Sequence, residues 1–448
     1  MLKAEAATIP PALSNEPDLD HFWMPFTPNR AFRRNPRLFV GAEGCYYIAE
    51  DGRRILDGMA GLWCVNAGHG HPAIVAAIKH QADRLDFVSS FQMSHPAAFA
   101  LAAQLAGTAP TGLEHVFFVN SGSEAVDTAL KIARAYHAAK GAAGRTRLIG
   151  RLKGYHGMGW GGLSVGGIGR HRQAFGPLLP GTDHLALPYG PSSRFSRGQP
   201  TQGAEMADEL LQLVQLHGAE TIAAVIVEPV VGSGGVYPPP VGYLERLRAH
   251  CDLHGILLIF DEVITGFGRL GTAFAAQRFG VRPDIITCAK GLTNGAVPMG
   301  AVLVSNAIHA AFMAGPEPVI ELFHGYTYSA HPLACAAAQA TLDVHEREGL
   351  AGRVAAVEPV WQAAAHGLLG SRHVVDVRGL GLLAAIELDP RPGSPGVRGQ
   401  DCANACYDRG VLVRASGDTI VLSPPLTITE SEIARIFETL AAVLASLD

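Results

Sequence analysis

Apolar runs at 116–119 (VFFV), 222–227 (IAAVIV), 256–260 (ILLIF) and 284–289 (DIITCA) alternate with helical patterns such as EAVDTALKIARAYHAAK, which starts at Glu124. Apolar runs of this length, bounded by turn residues or charge, read as strands buried on both faces. Their alternation with helices predicts an α/β fold with a mostly parallel sheet covered on both sides. Ahead of this region CYYIAE and RRILDG flank Asp51-Gly52 and predict a hairpin. After about Ala340, a helix, then VVDVRGLGLLAAIEL, a helix around Cys406 and IVLSPPLTIT predict a smaller α+β domain. The expected organisation is an N-terminal segment, 1–71, that belongs to the small domain, a large domain over 72–340, and the remainder of the small domain over 341–448. The stretch SPGVRGQ (394–400) reads as a surface connection.

The chain of 448 residues is 48% hydrophobic, enough for a large core. Its 35 basic and 40 acidic residues leave a net charge of −5 with no basic block, which argues against nucleic acid and for a small-molecule ligand. No apolar run reaches the ~18 residues that span a bilayer. The N-terminal MLKAEAATIPPALSNEPDLD has acids and prolines where a secretion signal needs an apolar stretch, so a loosely draped lead and a cytoplasmic protein are expected, with no membrane partner. Seven cysteines, an odd count, suggest reduced thiols. Cys402 and Cys406 read as two small buried groups on one helix face, and no metal is expected.

Three motifs carry chemistry. In GILLIFDEVITGFGR the buried strand ends in Asp261 and Glu262, at the carboxyl edge where α/β sheets bind ligands. In VFFVNSGSEAVDTALKIA a strand runs through Asn120, Ser121, Gly122 and Ser123 into a helix. Its first-turn N–H groups suit a phosphate, although an ordinary serine N-cap reads equally well. In DIITCAKGLTNG, Lys290 follows a second buried strand. It is either a snorkelling surface residue or a desolvated amine able to form a Schiff base. Asp261 and Lys290 are 29 residues apart, one strand-helix-strand unit, which places them on adjacent strand ends. Two other motifs are set aside. Gly266, Gly268 and Gly271 match a dinucleotide fingerprint, but two carboxylates stand where a pyrophosphate would lie. Gly162-Leu-Ser164-Val-Gly166 matches a hydrolase elbow without the strand and helix that elbow needs. A phosphate site, a carboxylate and a lone lysine at neighbouring strand ends are the set that pyridoxal phosphate requires, with Asp261 facing a cationic ring nitrogen.

With those residues in view, the chain resembles the class III pyridoxal-phosphate aminotransferases of fold type I. The resemblance runs from WMPFTPNR to VLSPPLTIT and is most specific in NSGSEAVDTALKIAR, KGYHGMGWG, VIVEPVVGSGGV, IFDEVITGFGRLG, CAKGLTNGAVPMGAV and HGYTYSAHPLACAAA. It implies that Lys290 is the Schiff-base and proton-shuttling lysine, that Asp261 pairs with the ring nitrogen, and that Tyr155 and Val263 cover the two ring faces. Gly122 and Ser123 would bind the phosphate, and Thr327 would reach it from a second subunit, making a homodimer or homotetramer. Ser121, His156, Glu228 and Tyr326 complete the implied cofactor set. Trp63, Phe26 and Phe91 are the implied walls of the substrate pocket.

Departures from the wider family narrow the substrate. Ile264 and Ser233 stand where ornithine-type relatives carry glutamine and glutamate, and Ile264 also replaces the glutamine of 4-aminobutyrate-type relatives. Val421 stands where their carboxylate-binding arginine lies, while Arg414 appears seven positions earlier. That relocation is similar to the ω-amino acid:pyruvate group. It implies a transaminase that moves the amino group of β-alanine, another ω-amino acid or a simple amine to pyruvate, giving L-alanine. An aminomutase of the same fold is the alternative; it would need no keto-acid co-substrate. A ligand-binding relative without catalysis would not need an intact Lys290 and Asp261.

Overall fold

The computed structural model describes residues 18–448, so the N-terminal lead up to residue 17 falls outside the described residues. Seven strands form the central sheet in the order His115–Val119, Gly300–Val304, Ile285–Cys288, Leu257–Asp261, Ile222–Val227, Arg147–Arg151, Thr182–Leu185. Gly300–Val304 is antiparallel to both of its neighbours, and the other pairings in the sheet are parallel.

Alternation along each central strand divides its side chains between two cores. Leu257 and Ile259 join the core that contains Ala125, Val126 and Ala129 of helix Gly122–Ala139. Leu258 and Phe260 join the opposite core, with Leu101 of helix Pro96–Thr108 and Leu247 of helix Tyr243–His254. Both faces are covered, which is why these strands read as unbroken apolar runs. Continued past Phe260, the alternation turns Asp261 to the Ile259 side and Glu262 to the other.

The expected hairpin is present. Tyr46–Ala49 pairs antiparallel with Arg54–Asp57, setting Tyr46 opposite Leu56. Val411–Leu412 then joins in parallel against Leu56 and Asp57, so strands from the two ends of the chain share one sheet. A third sheet, wholly antiparallel, runs Val374–Leu380, Leu383–Leu388, Thr419–Leu422, Arg414–Ser416.

The expectation of a surface connection over 394–400 is corrected: helix Val397–Asp408 begins inside it, and Arg398 and Gly399 are buried. The cause is Asp418, whose carboxylate accepts the N–H groups of Gly396 and Gly399 and draws the stretch onto the third sheet. There is no room for a side chain at Gly399, where a Cβ would lie 2.9 Å from Asp418 Cα. Cys402 and Cys406 are both buried on this helix. Neither motif set aside above forms its signature geometry. Gly266, Gly268 and Gly271 lie in turns ahead of the short helix Ala275–Phe279, and Ser164 is buried inside helix Trp160–Val165 with its hydroxyl on the Trp160 carbonyl. Among the described residues no helix is long and apolar enough to cross a membrane, and no group of three or more His, Cys, Asp or Glu is placed to hold a metal ion.

Candidate active site

Adjacent parallel strands bring Asp261 and Lys290 together. Asp261 pairs in register with Thr287, three residues before the lysine. At this sheet edge lies a cavity of about 120 Å³ lined by Gly122, Ser123, Tyr155, His156, Gly157, Glu228, Asp261, Val263, Ile264 and Lys290. Nine of the residues singled out from sequence therefore share one wall-to-wall space.

Asp261 is 4% exposed, and its oxygens are held from three directions. One faces His156 Nδ1 at 2.7 Å; the other accepts Val263 N–H at 3.1 Å and the Thr287 hydroxyl at 3.2 Å. The companion carboxylate leaves the site. Glu262 accepts the N–H groups of Ala275 and Ala276 and the Thr265 hydroxyl, capping the Ala275–Phe279 helix, and burial pushes its carboxyl up to about 7. Only Asp261 thus faces the cavity from this strand end.

Lys290 has a left-handed backbone (φ 48), a conformation that costs a non-glycine residue energy and persists where the surroundings hold it. Burial pushes its ammonium down from the ordinary lysine value, toward the neutral amine a nucleophile requires. Its Nζ lies 5.2 Å from the ring centre of Trp63, itself left-handed (φ 60) and buried. The Trp63 loop is fixed at its base by Asp57, whose carboxylate accepts Met59 N–H at 2.9 Å and Gly61 N–H at 2.6 Å and meets His69 Nε2 at 2.8 Å.

Across the cavity, helix Gly122–Ala139 starts two residues earlier than expected. The Ser121 hydroxyl caps it by accepting Glu124 N–H at 3.2 Å, so Ser121 is turned to its own helix while Gly122 and Ser123 line the cavity. A Cβ at Gly122 would lie 2.9 Å from Val263 Cγ1, so glycine is required there for the helix to approach this closely. Glu228, buried, accepts Tyr155 N–H at 2.9 Å and Gly232 N–H at 2.9 Å, which fixes the loop that carries Tyr155; burial pushes its carboxyl up.

Arg414 and Val421 are direct partners across an antiparallel ladder, so their side chains share a face. Relocating the arginine by seven positions in sequence moves it only one strand sideways in space. Val421 is buried beside Ile264 and Trp63. The guanidinium of Arg414 stands 4.9 Å from the Trp63 ring centre, and it makes no ion pair among the described residues. Ser233 is buried and offers its carbonyl to the Ser416 hydroxyl at 3.1 Å.

Ser121, Trp63, Ser233, Arg414 and Val421 do not line the cavity itself, and four further sequence candidates also lie outside its wall. Thr327 is exposed, and Tyr326 is half-buried with its ring 5.0 Å from His324. Phe91 is exposed beside Gly325, and exposed Phe26 packs 5.3 Å from His171, whose ring is 5.7 Å from Tyr155. Two residues of the site were not singled out from sequence. Thr287 is the polar interruption in the run IITC, a signal that was readable, whereas Gly157 is marked by nothing local.

This donor set fits pyridoxal phosphate. The helix N-terminus and the Ser123 hydroxyl suit a phosphate, the glycine cradle at Gly122 admits close approach, Asp261 suits a protonated ring nitrogen, and the Lys290 amine suits an aldehyde. The family model for aminotransferase class-III matches residues 30–444. The chain is 58% identical to an omega-aminotransferase of Caulobacter vibrioides, covering 96% of this chain and 98% of that protein. It is 48% identical to the beta-alanine–pyruvate aminotransferase of Pseudomonas aeruginosa, over 97% and 98%. A solved amine transaminase from an uncultivated Pseudomonas species, with pyridoxal phosphate bound, superposes with a TM-score of 0.90 at 41% identity, over 96% of this chain and 99% of that one. On that full-length agreement of sequence, fold and cavity, the chain belongs to the class III aminotransferases, enzymes that depend on pyridoxal phosphate.

Proposed function

We propose that this aminotransferase moves the amino group of β-alanine or another ω-amino acid to pyruvate, giving an aldehyde acid and L-alanine, with simple amines as further donors. The observation that carries the reading is Arg414, a half-buried cation without a carboxylate partner among the described residues, packed on the Trp63 ring that the Lys290 amine also faces. Burial pushes its guanidinium down from the ordinary arginine value, an environment that an incoming carboxylate relieves. The names of the Caulobacter and Pseudomonas relatives support the same donor and acceptor classes.

When bound, pyridoxal phosphate supplies an electron sink for the pair released from the substrate's C–H bond. The protein's own groups divide the remaining work. Gly122 and Ser123 would hold the phosphate, Tyr155 and Val263 would cover the ring, and Asp261, steadied by His156 and Thr287, would keep the ring nitrogen protonated. Lys290 Nζ takes the proton from the amine-bearing carbon and returns it, and Arg414 reads the carboxylate of donor and acceptor in turn. We read 72–340 as the cofactor-binding domain, with 1–71 and 341–448 forming the smaller one. Thr327, exposed together with Phe91, Phe323 and Tyr328, would reach the phosphate of a second copy in a homodimer or homotetramer. Seven unpaired cysteines are in keeping with a cytoplasmic setting.

Arg414→Ala tests the carboxylate site. It should raise KM for β-alanine and pyruvate together, costing about 2 to 4 kcal/mol in kcat/KM for each, while the half-reaction with benzylamine changes far less. Equal losses with carboxylated and carboxylate-free donors would assign Arg414 to the fold or the cofactor instead.

A further inference from the structure

The Arg414–Ser416 strand is the outer edge of the third sheet, and it is short. Within its own sheet it is held by Val421, Ile420 and Thr419, and its turn is held by Asp418, which binds Gly396 and Gly399. None of these contacts sets its distance from Lys290, which stands at the end of a different sheet. The Ser416 hydroxyl does bridge that gap, donating to the Ser233 carbonyl at 3.1 Å in the loop that follows the Ile222–Val227 strand.

That acceptor is itself fixed on both sides. Gly232 N–H is bound by Glu228 in the cavity wall at 2.9 Å, and buried Arg378 binds the carbonyls of Gly235 at 2.9 Å and Val236 at 3.1 Å through Nε. Residues two apart on a strand point the same way, so the face that Ser416 presents to the loop is the face from which Arg414 projects, about 7 Å along the strand. We propose that Ser416 is a positioning residue for specificity: its hydroxyl latches the arginine's strand to the Ser233 carbonyl and so sets the reach of Arg414 toward a substrate carboxylate. The inference rests on the reading of Arg414 as the carboxylate site.

The test compares Ser416→Ala, Ser416→Thr, Arg414→Ala and the double variant as cofactor-loaded enzymes. Steady-state kinetics are measured with β-alanine and pyruvate, and single-turnover rates with benzylamine in the absence of keto acid. Loss of one hydrogen bond predicts that Ser416→Ala raises KM for both carboxylates about three- to tenfold, with kcat and the benzylamine rate within about twofold of wild type. Ser416→Thr, which keeps the hydroxyl, should restore the wild-type KM, and Ser416→Ala should add nothing further in the Arg414→Ala background. Unchanged KM in Ser416→Ala, an equal loss with benzylamine, or no rescue by threonine overturns the latch. If Arg414→Ala itself fails to separate carboxylated from carboxylate-free donors, the reading of the arginine falls first. If it does separate them while Ser416→Ala is silent, the latch alone is wrong.

Discussion

Lys290→Ala is expected to reduce turnover to background while leaving a folded protein that still takes up pyridoxal phosphate. The lysine's amine is the one group in the cavity placed both to bond the cofactor's aldehyde and to carry a proton. A positioned base alone is worth about 10²- to 10⁴-fold in rate, and the covalent step adds to that. The contacts assigned to phosphate and ring lie on other elements: Gly122 and Ser123 at a helix start, and Asp261 on the neighbouring strand. Alanine keeps the Cβ and so meets the same backbone requirement at φ 48 that lysine already meets, and the turn at Lys290–Thr293 should persist. The check is equilibrium dialysis of the purified variant against the cofactor, with a transamination assay. Near wild-type transamination would remove Lys290 from the chemistry; a variant that binds no cofactor would mean that the lysine supplies most of the affinity.

Asp261→Asn should slow proton abstraction by about two or more powers of ten. The carboxylate sits at 4% exposure with His156 Nδ1 on one oxygen and the Val263 N–H and Thr287 hydroxyl on the other, so its geometry is settled before any ligand arrives. An amide is nearly isosteric and can keep part of that network, so the fold should survive. It carries no charge with which to hold a proton on the ring nitrogen, and at a buried position that charge matters far more than it would in bulk water. Single-turnover rates measured by stopped flow decide the point, and a variant within about threefold of wild type would contradict the assigned role.

The site was legible in sequence wherever a chemical residue followed a buried strand. Asp261 and Lys290 end two such runs one strand-helix-strand unit apart, and the structure sets Asp261 at the end of one strand and Lys290 just past the end of its neighbour. Glu262 was legible only as a second carboxylate. Its departure to cap the Ala275–Phe279 helix follows from strand alternation, which reverses direction at every residue, combined with a helix start that local pattern did not reveal. The position of Arg414 beside Val421 depends on strand register, which sequence spacing does not disclose until the Gly417-Asp418 turn is known. The helix start inside 394–400 was hidden for a related reason, since its cap, Asp418, lies about twenty residues downstream in the turn between two strands. Phe26, Phe91, Tyr326 and Thr327 were named through family resemblance alone, and within a single chain they remain outside the cavity wall.

The central claim is most directly tested by incubating the purified, cofactor-loaded enzyme with β-alanine and pyruvate, and with a panel of other ω-amino acids, and quantifying L-alanine by chromatography. The account predicts L-alanine in stoichiometric yield with the donor consumed and none when pyruvate is withheld. Donor isomerised without loss of keto acid, or no L-alanine from any ω-amino acid in the panel, would contradict it.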